Sequence, residues 1–311
     1  MLKSSFGIGK KRPLRRQLIK IMSNFLGRRW SHTHAWAPYL RLTRNDSGSF
    51  SSIVYRGQSV TLLSPSTILA ESTPSRSIYI VGSGPSVAEN DLTQLEPQSC
   101  LLLNGAIVEI GSAIAKPLAV AVEDERFVWR HFGLMTEKVP PGTICLLSVA
   151  VIRAVCELNP AWLGQMQVVL IDDIRKPYGA PRQFISDLKS RVGISMNTAG
   201  SAGISRDPDR GVFQGGSIAI STFQFAIYAQ PKLIGLVGVD ISNADKPRFY
   251  ERSGETAPSG LEFASDRIRD HLKLAIEDCR ARGIHLHNYS RQSILLECGL
   301  PYNSRLGKDR S

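Results

Sequence analysis

The chain has 311 residues, 42% hydrophobic and 7% aromatic, enough for one large domain or for one domain with appendages. It contains no apolar run of roughly 18 residues that would read as a membrane span, and its five scattered cysteines lack the spacing of a disulfide framework or a zinc site. The formal net charge is +11, and eleven of the 38 Lys and Arg precede Asp46, the first acidic residue; this leaves 27 basic against 27 acidic residues beyond, so the basicity belongs to an N-terminal arm.

Within that arm, residues 1–30, the apolar residues Leu14, Leu18, Ile21, Met22, Phe25 and Leu26 recur at helical spacing after Pro13. Gly27 is placed to end the helix, and Arg28, Arg29 and Trp30 follow. A basic amphipathic helix beside a Trp reads as an interfacial helix on an anionic membrane surface. Packing of the helix on the protein's own surface, a nucleic-acid arm and a mitochondrial presequence are the other readings. No nucleic-acid recognition motif is present, so nucleic acid is not expected as a partner. The stretch also lacks the apolar core of a secretory signal. The expected location is cytoplasmic, peripheral on the inner membrane.

Residues 31–76 carry strand-like pieces at 39–42, 52–55 and 59–63, with turns at 45–48 and 56–57. They predict a small β-rich segment, followed by a Ser/Thr/Pro connector. From residue 77 to 311 the pattern becomes strand–helix alternation. Strands are predicted at 78–81, 101–103, 118–122, 143–147, 167–171, 233–237 and 284–287, with helices at 148–158, 217–229 and 266–282. Short apolar strands separated by helices imply an α/β, Rossmann-like fold with a mostly parallel sheet and flanking helices. Two polar stretches, 177–213 and 242–264, are expected to be substrate loops.

The most informative stretch is I-Y-I-V-G-S-G-P-S-V at 78–87. A strand ends in Gly82-Ser83-Gly84, and Pro85 suits the first position of a helix. Glycines permit a sharp turn and close approach to a ligand, and N–H groups at a helix start attract a phosphate. A dinucleotide is disfavoured: Val87 stands where the third fingerprint glycine would be, and the next strand ends in Asn104 instead of an acid. Ligands of such sheets lie beyond the strand carboxyl ends. There the chain places Ser86, Asn104, Glu123, Asp124, Glu125, Asp172, Asp173 and Asp240. None of these is a cation, so backbone N–H groups are expected to carry much of the phosphate binding.

Together, G-S-G-P-S, L-L-N-G, Q-G-G-S-I-A-I and G-L-V-G-V-D resemble the bacterial sialyltransferases of glycosyltransferase family 42. They are similar too to related lipopolysaccharide and flagellin-glycosylation proteins. The resemblance runs from about residue 78 to 296. It implies a nucleotide-binding α/β domain that uses a CMP-activated acidic sugar, sialic acid- or Kdo-like, with no cofactor and no metal. The implied product is a modified lipid-linked or lipopolysaccharide glycan. The nucleotide-binding positions it implies are Gly82, Ser83, Gly84, Ser86, Asn104, Glu123, Gly216, Ser217 and Asp240. Ser83 and Glu123 stand where the family has asparagines. The family's histidine base aligns with Asp266, and His271 lies five residues on; Tyr250 falls where the family places phosphate-binding tyrosines. The implied catalytic set is therefore Asp266, Tyr250 and His271. For Asp266 the residue-level alternative is an acid at a helix N-terminus, and for His271 a solvated helix residue.

Three rival readings remain at this level. Glu123, Asp124 and Glu125 could hold a divalent ion for a metal-dependent transferase. A fold related to pterin diphosphokinase-like proteins would make the chain a phosphoryl-transfer enzyme. A degenerate transferase could serve as a membrane-associated scaffold.

Overall fold

The computed structural model describes residues 12–73, 76–240 and 261–308, the side chains of 261–264 excepted. The arm forms helix α1 (Arg15–Asn24), followed by a 3-10 turn over Ser31–Ala35. A meander follows, made of β1 (Leu40–Arg44), β2 (Phe50–Tyr55) and β3 (Gln58–Leu62), paired antiparallel. Its second hairpin turns at Arg56 and Gly57, both at positive φ, the conformation that matches the strand twist. Beyond β3 the Ser64 N–H donates to the Val168 carbonyl at 2.8 Å, which hooks the meander to the edge of the main sheet, and α2 (Thr67–Glu71) leads on.

The core follows in chain order: β4 (Ser77–Val81), β5 (Cys100–Leu103), β6 (Ala119–Val122), α3 (Glu125–Lys138), β7 (Ile144–Ser148), α4 (Val149–Leu158), α5 (Pro160–Leu163) and β8 (Gln167–Ile171). Then come α6 (Ile185–Lys189), β9 (Ile194–Met196), β10 (Gly203–Ser205), α7 (Ile218–Tyr228), β11 (Leu233–Val237), α8 (Leu261–Ala281), β12 (His285–Asn288) and α9 (Ile294–Glu297). Seven strands form one sheet in the order β12-β11-β4-β5-β6-β7-β8, every pair parallel. β5, β6 and β7 are buried along their whole length, because helices cover both faces and remove any polar alternation. One apolar core lies on each face: Val120, Val151 and Trp162 belong to one, Ile80, Phe223 and Leu272 to the other. The fold is Rossmann-like α/β.

From β4 the chain winds to one side through β8, then returns so that β11 lies on β4's other side. The reversal opens a crevice at the carboxyl ends of β4 and β11. Three expectations differ from what is seen. Pro85 begins a five-residue 3-10 helix, Pro85–Glu89, and not an α-helix. Helix α8 begins at Leu261, so Asp266 lies inside it and not at its start. The stretch 177–213 holds α6 and the β9–β10 hairpin, so it is not an unstructured loop. Of the second expected loop, residues 242–260 fall outside the described residues.

The arm packs with its polar side inward. Arg16 is fully buried, Ser23 is buried, and Arg12 and Ile19 are partly buried, a stripe at helical spacing. Leu14 and Phe25 are 76% and 87% exposed, and Leu18, Ile21, Met22 and Leu26 also face outward. The cause is an ion network that the apolar pattern does not reveal. Arg16 donates to the Ala37 carbonyl at 2.5 Å and to the His34 carbonyl, and lies 3.6 Å from Glu125. Arg153, also fully buried, pairs with Glu125 and Glu157 and donates to the Ala35 carbonyl at 2.9 Å. Arg15 adds a pair to Glu157 and Arg12 one to Glu125 at 2.7 Å. Buried charges persist only when paired and hydrogen-bonded, and here α1 completes the pairing. Self-packing thus engages the charged face of the helix and leaves its apolar face outward.

Candidate active site

The crevice is closed at its base by two interlocked loops. Gly82 N–H donates to the Val237 carbonyl at 2.7 Å and Gly84 N–H to the Gly238 carbonyl at 3.0 Å. A Cβ on Gly82 would collide with the Gly238 carbonyl, and one on Gly84 would lie 2.5 Å from Asp240 Oδ2. Gly238 has φ +64 and carries Val87 against its bare Cα. The close approach that a third fingerprint glycine would permit is thus supplied from β11, and Val87 is buried instead.

Asp240 takes the place expected for a phosphate. Ser86 donates to its carboxylate through both N–H and Oγ–H, each at 2.6 Å, and Ser86 Oγ also lies 3.0 Å from Ser290 Oγ. Burial raises the Asp240 pKa and the Ser86 hydrogen bonds oppose this. The turn of the G-S-G-P-S motif is therefore already filled by the protein's own anion, and its helix is too short for a macrodipole.

Longer helices converge on the crevice from elsewhere. The N-termini of α3, α4 and α7 all reach it, each capped by a side chain that accepts a backbone N–H: Asp124, Ser148 and Ser217. Together with the Gly82–Pro85 turn and Asn104 they line a cavity of about 700 Å³. Asn104 is held at φ 46, a left-handed conformation that asparagine tolerates, and its buried Oδ1 has no hydrogen-bond partner. An orphaned buried acceptor at a cavity wall is costly unless a ligand donates to it.

The three neighbouring acids are separated. Glu123 lines the cavity and accepts from Ser221 Oγ at 2.6 Å; burial, opposed by that bond, pushes its carboxyl up to about 7. Asp124 caps α3 and pairs with Arg126 at 2.6 Å, while Glu125 turns to the arginines of α1 and α4. Asp172 and Asp173, at the end of β8, also line the cavity; burial pushes Asp172 up to about 7 and raises Asp173. Among the described residues no group of three or more His, Cys, Asp or Glu is placed to hold a metal ion.

Of the sequence-derived positions, Gly82, Ser83, Gly84, Asn104, Glu123, Gly216, Ser217 and Asp240 line one cavity, with Ser86 behind Asp240. Of the implied catalytic set, the two described members, Asp266 and His271, are not among the cavity-lining residues. Asp266 is an exposed residue of α8, ion-paired to Arg269 at 2.5 Å, and is not among the cavity-lining residues. Asp266 lies inside α8 on an outward face, one residue before Arg267, which borders the cavity. His271 is buried, not solvated. Its Nδ1–H donates to the Arg267 carbonyl at 2.8 Å, its Nε2 has no partner, and it packs behind Gly215. Burial pulls its pKa down to about 4, so the ring is neutral. Tyr250 lies outside the described residues.

Sequence reasoning missed the cations. Arg12, Lys20, Arg126, Lys176 and Arg267 all border the cavity, and two of them come from the arm. Spacing alone signalled this much: Arg12, Arg16 and Ser23 fall on one helical face. Ser148 is legible as a cap between a strand and a helix.

Fold and cavity define a Rossmann-like α/β protein with a ligand crevice at its switch point. No family model and no curated protein matches the chain. Among solved structures it is similar to the monofunctional alpha-2,3-sialyltransferase Cst-I from Campylobacter jejuni, with 14% identity, a TM-score of 0.42, and coverage of 76% of this chain and 83% of that one. It is similar also to the sialyltransferase CstII from Campylobacter jejuni in complex with the substrate analogue CMP-3FNeuAc, with 14% identity, a TM-score of 0.38, and coverage of 75% and 88%.

Proposed function

We propose that the chain is a glycosyltransferase that takes a CMP-activated acidic sugar and modifies a lipid-linked or lipopolysaccharide glycan at the inner membrane face. The observation that carries this reading is the orphaned Oδ1 of Asn104 in the crevice beside β4. It is an acceptor awaiting a donor, as the exocyclic amine of cytosine is, and an amide stands where a dinucleotide fold has its ribose-binding acid. The capped N-termini of α3, α4 and α7 and the surrounding cations suit the phosphate and the sugar carboxylate.

In this reading Glu123 is the general base in place of Asp266. It is held in the cavity by Ser221 with a carboxyl near 7, close to the operating pH. Glu123 takes the proton of the acceptor hydroxyl as its oxygen forms the new bond to the anomeric carbon. The bond from that carbon to the CMP phosphate oxygen breaks, and CMP leaves with the electron pair. Attack opposite the leaving group inverts the centre. Separate partners for Glu123, Asp124 and Glu125 favour a metal-independent step.

Thermal unfolding with CMP, CTP, ATP and NAD tests the nucleotide. A ligand at about 100 times its Kd stabilises by roughly 2.7 kcal/mol. CMP or CTP should give the largest shift, and a larger one from NAD sinks the reading. Transfer from CMP-sialic acid and CMP-Kdo to a truncated lipopolysaccharide, with and without EDTA, tests the reaction.

A further inference from the structure

Helix α1 is inverted relative to an ordinary amphipathic helix on a globular protein. Its inward stripe is Arg12, Arg16, Ile19 and Ser23, and its outward face is Leu14, Leu18, Ile21, Met22 and Phe25, all exposed. Large apolar side chains kept in water along one face mark an interaction surface. The inward face matters to the cavity, since Arg12 and Lys20 border it and Arg12 is paired with Glu125 at the start of α3.

We propose that α1 docks the protein on an anionic lipid bilayer through its outward apolar face while its inward face completes the cavity wall, so that docking and ligand binding reinforce one another. The coupling rests on the nucleotide reading given above; the docking does not.

Charge selects the occupant. Residues 1–30 hold nine Lys and Arg and no acid. Arg15, Arg28 and Arg29 are exposed at or just beyond the apolar face. Anionic lipid headgroups complement that ring of cations. A second copy docking face to face would set two such rings against each other. The helix is short, and no described helix is long and apolar enough to cross a membrane. It suits shallow burial parallel to the surface. A bilayer that holds α1 in place also holds Arg12 and Lys20 at the cavity, and linkage requires the converse.

The test uses the full chain and the double variant Met22→Glu/Phe25→Glu, both changes on the outward face. Co-sedimentation is measured with phosphatidylglycerol–phosphatidylcholine vesicles and with phosphatidylcholine vesicles, and CMP affinity is measured with and without each. The wild type should bind the anionic vesicles only. The double variant should lose at least about tenfold in binding and keep the wild-type melting curve, as expected for removal of an interfacial contact. CMP affinity of the wild type should rise about fivefold or more on anionic vesicles and that of the variant should not, within the usual size of site coupling. Equal vesicle binding by the variant overturns the docking, as does a wild-type dimer that the variant converts to monomer. CMP binding that ignores vesicles overturns the coupling. Absence of CMP binding under every condition counts against the nucleotide reading, and the vesicle arm then decides docking by itself.

Discussion

Ser86 grips Asp240 with two hydrogen bonds of 2.6 Å, one from its N–H and one from its hydroxyl. This clamp joins the loop after β4 to the loop after β11 across the switch point, and it fixes the floor of the crevice. Asp240 therefore supports the site from behind as well as lining it.

Asp240→Ala should strand the Ser86 N–H, while the Ser86 hydroxyl keeps Ser290 Oγ at 3.0 Å. A buried unsatisfied partner costs about 1–3 kcal/mol, and a loss of that size is expected. Differential scanning calorimetry should show a fall of several degrees, and CMP affinity should fall with it. Gly84→Ala should behave alike, because its Cβ would meet the clamped carboxylate at 2.5 Å. An unchanged melting temperature in both variants would show that the clamp does not hold the loops.

Asn104→Ala should weaken CMP binding by about 1–3 kcal/mol, the cost of removing one partner from a buried hydrogen bond. Isothermal titration against CMP and AMP separates the cases. A parallel loss for both nucleotides would mean that Asn104 does not read the base.

Glu123→Gln should lower turnover by about 100-fold to 10,000-fold, the usual range for a general base. In the wild type, kcat/KM should rise with pH through a midpoint near 7, where the carboxyl ionises, and level off above it. Asp266→Ala should leave turnover nearly unchanged, since that carboxylate faces solvent beside Arg269. Tyr250→Phe measures the phosphate-donor role that the family resemblance implies. Full activity in Glu123→Gln, or loss in Asp266→Ala, would return the base to α8.

Two buried groups should pull the pH dependence of stability in opposite directions. Glu123 has its pKa raised from 4.5 to about 7, so the folded state binds more protons than the unfolded state between those values. Its contribution therefore declines as pH rises through that window. His271 is lowered from 6.5 to about 4, so the unfolded state binds more protons there and stability declines as pH falls from 6.5 toward 4. Chemical denaturation across pH 4–8 should show Glu123→Gln tilting the stability curve toward higher pH and His271→Gln toward lower pH. A curve that neither variant tilts would assign the dependence to other groups.

On α1 the ordinary hierarchy of substitutions should reverse. Arg16→Ala leaves the His34 and Ala37 carbonyls and part of the Glu125 charge without their partner, and breaking a buried pair costs about 3–5 kcal/mol. Leu18→Ala, on the exposed face, should change stability by less than about 0.5 kcal/mol. Removal of residues 1–30 should for the same reason destabilise the fold while it releases the protein from vesicles. Urea unfolding of the three variants checks the order.

Local pattern determined much of this protein. The parallel strands, α4, α7 and the meander are all legible, because apolar runs, caps and turn residues act within a few positions of one another. The cavity-lining set from Gly82 to Asp240 was legible as well, since a parallel sheet obliges every strand end to open on one edge. Only the tertiary structure decided which polar groups meet. Ser86 and Asp240 are 154 positions apart, and their bond replaces an expected ligand phosphate with the chain's own carboxylate. The start of α8 at Leu261 makes Asp266 an interior helix residue on an exposed face, and burial makes His271 a neutral core residue in place of a surface one. The face by which α1 packs was settled by Glu125, Arg153 and Glu157, more than 100 residues downstream. Hydrophobic periodicity tells how a helix is striped. Which stripe turns inward depends on charges that only folding brings together, because a buried ion must find its partner wherever in the chain that partner lies.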